Sequence, residues 1–89
     1  MEKLNIERLK QTLNYLESKQ RELERQGQND TRSIDSIIKY IKKEMLNDFN
    51  LSDYDASIKY QLKDTESFIL IVKNIINKNL EAHVVNHLQ

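Results

Sequence analysis

The chain has 89 residues, enough for one domain with a single thin core and too few for the deep, water-excluding cleft that most enzymes carve. Its 38% hydrophobic and 31% charged residues set it apart from both disordered and membrane chains. Fourteen basic residues balance fourteen acidic ones, so no net field draws in nucleic acid or an anionic membrane, and the lack of cysteine removes disulfides, thiol nucleophiles and cysteine zinc sites.

The first helix is predicted over residues 5–26. Ile6, Leu9, Leu13, Leu16 and Leu23 recur at alternating spacings of three and four, with Gln20 filling the one gap, in the manner of a coiled-coil seam. Asn5 suits the cap of the first turn, Glu17 and Arg21 suit an exposed pair, and Gly27 suits a positive-φ stop. The polar stretch Gln28-Asn29-Asp30-Thr31 is long enough only for an antiparallel return, and Asp30 or Thr31 can cap the next helix.

A second helix is predicted over residues 31–46. Ile34, Ile37, Ile38, Ile41 and Met45 share its inner face, and Arg32, Lys39, Lys42 and Lys43 are assigned to the other side. Its end falls near Asn47 to Asn50.

Two periods compete in the next segment. Leu51, Tyr54, Ile58 and Leu62 fit a helix over residues 52–62, with Ser52 and Asp55 resembling a capping box. Ala56, Ile58, Tyr60 and Leu62 also alternate with polar residues as a strand would, which gives an alternative α+β reading with a hairpin over residues 56–72. The helical reading is preferred because Lys63-Asp64-Thr65-Glu66 lacks a glycine or asparagine for a tight hairpin turn but supplies a cap and an acidic first turn.

The last helix is predicted over residues 65–88. Phe68, Ile69, Val72, Ile75 and Ile76 form one apolar stripe. Leu70, Val84 and Leu88 form a second on nearly the opposite side, while Asn79, His83 and Asn86 continue the first. Either this helix is buried all round, or Leu70, Val84, Val85 and Leu88 meet another molecule. The seam of the first helix offers a second surface for pairing between chains.

Candidate chemistry is sparse. His83 and His87 stand one helical turn apart, a spacing at which histidines can share a metal ion. No glutamate follows the first and no third ligand is fixed nearby, so no metal site is assigned and no cofactor is expected. The acidic residues Asp53, Asp55, Asp64 and Glu66 are read as helix caps and first-turn acids rather than a catalytic pair. A single glycine rules out a glycine-rich phosphate loop.

These readings predict one all-α domain over residues 1–89, a compact antiparallel bundle of three to four helices. The expected function is a non-enzymatic protein–protein interaction module, a small regulator or inhibitor of phage, plasmid or immunity type that binds a larger protein or its own copy through Leu70, Val84, Val85 and Leu88. The alternative is a nucleic-acid-binding regulator using Arg32, Lys39, Lys42 and Lys43, against which the zero net charge counts. The longest apolar run, Phe68–Val72, is far short of a membrane span, and the first residues lack a signal-peptide core, so a cytoplasmic address without membrane contact is expected. Ile, Lys and Asn supply 29 of the 89 residues, a bias of AT-rich coding that suggests a bacterial or phage source.

Overall fold

Asn5 starts the first helix, α1 (Ile6–Gln26), by accepting the Arg8 amide hydrogen on its side-chain oxygen at 3.1 Å, which satisfies one of the amides every helix start leaves open. The structure, a computed structural model, describes residues 4–27 and 30–88, with the side chains of 81–88 outside the described residues. Leu9, Leu13 and Leu16 are buried, and Ile6 and Leu23 pack at the edge of the core. Gly27 ends the helix at φ +58° and ψ −114°, a conformation that a side chain would resist. The exposed pair predicted between Glu17 and Arg21 gives way to a longer-range one, in which Glu17 meets Lys73 at 3.4 Å.

Gln28 and Asn29 lie outside the described residues. Of the two candidates for the next cap, Asp30 serves and Thr31 does not: the Asp30 carboxylate accepts the Arg32 amide hydrogen at 3.1 Å, and the Thr31 side chain makes no capping bond. The helix α2 (Arg32–Asp48) buries Ile34, Ile38, Ile41 and Met45, while Ile37 stays partly in solvent. It closes with the Phe49 amide donating to the Met45 carbonyl at 3.2 Å, and Asn50 then turns left-handed at φ +50°, a role asparagine fills where glycine is absent.

The third predicted helix is present as two 3-10 turns, Leu51–Asp53 and Ala56–Gln61, and the described residues contain no strand, so the hairpin alternative over residues 56–72 falls. Asp55 separates the turns. It is extended, and its carboxylate takes both the amide (2.9 Å) and the hydroxyl (2.6 Å) of Ser57, a local bond that competes with α-helix continuation. The capping box expected from Ser52 is therefore replaced by Asp55 capping the second turn alone. The burial pattern follows the sequence all the same: Leu51 and Ile58 are fully buried, and Tyr54 and Leu62 pack against them.

Asp64 then caps α3 (Thr65–Leu88), accepting from the Ser67 amide at 3.2 Å and its hydroxyl at 2.9 Å. These bonds hold the Asp64 carboxyl below the usual carboxylate range, as the Ser57 bonds do for Asp55.

Side-chain pairs fix the topology. Arg8 meets Asp48 at 3.7 Å and lies over the Phe49 ring, so α1 and α2 are antiparallel. Glu17 meets Lys73, and Gln20 and Leu23 share a cavity wall with Thr65 and Glu66, so α1 and α3 are antiparallel as well. Hence α2 and α3 run in the same direction. Two parallel helices need a connection that travels back along their length, and the 3-10 turns, rising about 2.0 Å per residue against about 1.5 Å for an α-helix, cover that distance with fewer residues. α1 is the spine on which both other helices pack.

Because Ile58 is wholly buried, the crossover is part of the cooperative core. Ile58→Ala is expected to cost about 2–5 kcal/mol in urea denaturation, against about 0.5 kcal/mol or less for the exposed neighbour change Lys59→Ala.

Candidate functional site

On α3 the stripe of Phe68, Ile69, Val72, Ile75 and Ile76 is buried, and Ile71 packs at its margin. Asn79, which continues that stripe, donates from Nδ2 to the Ile75 carbonyl at 2.8 Å and so is satisfied by its own helix. Leu70 stands on the other side of the helix, 62% exposed, among Glu66, Lys73, Asn74 and Asn77, all exposed or half-buried. The reading of α3 as a helix buried all round is thereby corrected. The helical backbone runs unbroken to Leu88, so the period on which the second stripe rests holds along it. The side chains of Val84, Val85 and Leu88, and of His83 and His87, lie outside the described residues.

The seam of α1 is not a free surface. Leu9, Leu13 and Leu16 are at the centre of the protein's own core, which corrects its assignment as a second pairing face.

A surface that the sequence reading missed runs along the groove between α1 and α2. Tyr15 is 52% exposed, Ile37 37% and Tyr40 65%. With Arg8 opposite Asp48, the antiparallel register brings Tyr15, two turns further on, level with Ile41, so Ile37 and Tyr40 flank it on the neighbouring helix. The Lys19 ammonium lies 5.6 Å from the Tyr15 ring centre, and the negative charge of Glu44 holds the Tyr40 phenol above its ordinary range, so it stays protonated. The signal was available: both tyrosines fall outside the apolar stripes of their helices, where an aromatic residue has no core to fill.

The basic residues of α2 do not act as one face. Arg32 is paired with Asp30 at 3.0 Å, and Lys39 with Asp35 at 3.0 Å. Lys42, assigned by sequence to the solvated side, is buried at 3% exposure, and its Nζ donates to the Leu62 carbonyl and, at 2.9 Å, to the Thr65 hydroxyl. Its position four residues after Ile38 and three before Met45 puts it on the inner stripe, and its charge disguised that. Among these cations Lys43 alone is exposed with no ion pair among the described residues.

Burial pushes the Lys42 ammonium below the ordinary lysine range, with the charge of Lys39 adding to the effect, while Asp35 and Asp64 draw it partly back. Among the described residues, no group of three or more His, Cys, Asp or Glu side chains is placed to hold a metal ion, and no helix is long and apolar enough to cross a membrane. Compared with known proteins, the chain matches no family model, no curated protein and no solved structure.

A lysine whose native pKa is lowered sheds its proton more readily in the folded chain than in the unfolded one, so stability rises with pH in the window below the ordinary value of 10.5. Wild type is expected to gain stability relative to Lys42→Met between pH 7 and about pH 10, all other titrations cancelling in the difference. Thermal melts of the two proteins across that range check it; a constant gap would show that burial does not act on the ammonium.

Proposed function

We propose that the protein is a non-enzymatic interaction module, a small regulator or inhibitor of phage, plasmid or immunity type that engages a larger protein through the exposed side of α3. The observation that carries this reading is Leu70. It is the one apolar residue between Phe68 and Ile76 that α3 leaves mainly in water, and it sits opposite the stripe that builds the core. A leucine in such a place adds little to the core and is available to a partner, where its burial is worth about 2 kcal/mol, or roughly 30-fold in Kd. The tyrosines of the α1–α2 groove add a second surface of the composition that interfaces favour.

The nucleic-acid alternative draws less support. Two of its four cations are neutralised by carboxylates one turn or less away, and a third is inside the protein, so few charges are left to release counterions from a phosphate backbone.

Leu70→Lys separates binding from folding, since it removes the apolar contact and places a cation one turn after Glu66, where it supports the helix. The melting temperature is expected to shift by no more than about 0.5 kcal/mol of stability allows. A cellular protein retained by immobilised wild type should be lost from the variant, and the same pair, once purified, should differ about 30-fold in Kd by calorimetry. Light scattering on both proteins tests the self-associating form: a wild-type oligomer reduced to folded monomers by Leu70→Lys makes the partner a second copy. If every retained protein binds the variant equally and the solution mass is unchanged, α3 is not the binding face.

A further inference from the structure

Between α2 and the head of α3 lies a cleft of about 520 Å³, lined by Asp35, Lys39, Lys42, Lys43, Leu62, Lys63 and Thr65. Its size falls within the range of small-molecule sites, roughly 300–1,000 Å³. Four lysines line it against one aspartate, in a chain whose total charge is zero.

Its floor is unusual. The Lys42 ammonium carries three hydrogens, and two are used, by the Leu62 carbonyl and the Thr65 hydroxyl. The side chain is buried, so it is held in one place rather than swinging in solvent, and the third hydrogen has no partner among the described residues. Lys43 and Lys63 are exposed at the rim and enter no ion pair among the described residues. Lys39 is shared with Asp35 at 3.0 Å, and that carboxylate is the one acidic group in the wall. The nearby Asp64 carboxylate is engaged on both oxygens by Ser67, facing into the first turn of α3.

We propose that this cleft binds a small molecule bearing a phosphate or diphosphate group. A fixed, partly desolvated ammonium at the base and mobile ammoniums at the rim suit a compact ligand with several negative charges, which the rim lysines can close over. The Lys42 ammonium donates its remaining hydrogen to a phosphoryl oxygen, and Lys43 and Lys63 supply screening charge from either side. Lys42 is buried while Lys43 and Lys63 are exposed, an arrangement that suits a compact ligand entering the cleft better than a rigid duplex lying across its rim. Leu70 is not among its lining residues, so binding here does not depend on the α3 interface.

The test is a titration of the full chain with sodium pyrophosphate, followed by amide chemical shifts at constant ionic strength. Saturable shifts at Lys43, Lys63 and Thr65 with Kd below about 1 mM are expected. Lys43→Glu combined with Lys63→Glu, both at exposed positions, should weaken binding about tenfold or more while the spectrum keeps its dispersion. Arg32→Glu, on the same helix but outside the cleft, should leave Kd within about twofold. The proposal is overturned if no shift saturates, if the rim reversals leave Kd unchanged in a folded protein, or if Arg32→Glu weakens binding as much as they do. It is equally overturned if citrate binds as tightly as pyrophosphate, or if a short DNA duplex shifts the same amides at lower concentration.

Discussion

One ammonium group holds the architecture in register. Lys42 reaches from the middle of α2 to the carbonyl of Leu62, which closes the second 3-10 turn, and to the hydroxyl of Thr65, the first residue of α3. The residues it joins are twenty or more positions apart in sequence, and they mark the point where a connection must end and a helix must begin. Fixing that point ties the head of α3 to the middle of α2, two elements that otherwise pack chiefly on α1 and the crossover. A buried charge is costly, and its worth here is positional: two hydrogen bonds of defined direction at one site, which apolar contacts alone do not provide.

The remainder of the design stems from having α1 as spine. Its inner stripe of Leu9, Leu13 and Leu16 is at the centre of the core, and its flanks carry the polar pairs that align the neighbours, Arg8 with Asp48 on one side and Glu17 with Lys73 on the other. Exposed ion pairs contribute little to stability individually, but these two tie α1 to different neighbours at different heights, so they resist sliding of either partner. The crossover seals the gap between α2 and α3 with Leu51 and Ile58. A domain with no disulfide relies on this closure, since three helices alone leave one edge of so small a core open to water.

Most of the helical framework was legible from periodicity. The starts of α1 and α3 and the stop at Gly27 were marked by residues whose chemistry acts within one turn, so no tertiary knowledge was needed. What escaped was set at longer range. Leu51–Leu62 has the burial pattern of a helix and the backbone of 3-10 turns, because the distance to be spanned is decided by two helices that the segment itself does not contain. Lys42 sits at a core spacing, and only the carbonyl and hydroxyl supplied by a distant turn make burial of its charge tolerable. Leu70 was readable because it broke an otherwise consistent stripe, whereas Tyr15 and Tyr40 gained their meaning when α1 and α2 were brought side by side.

The shared direction of α2 and α3 has an electrostatic consequence. Each helix presents the equivalent of about half a positive charge at its start and half a negative charge at its end. At the end of the bundle where α2 and α3 begin, two starts face the finish of α1, so one positive half-charge is left over; at the other end the balance is reversed. The acidic residues Asp30, Asp35, Asp64 and Glu66 gather at the first end, and Arg8 lies beside the finish of α2 at the other. The capping carboxylates of Asp30 and Asp64 thus stand against the positive half-charges at the starts of α2 and α3, while the lysines around the α2–α3 cleft keep that end from becoming an acidic patch.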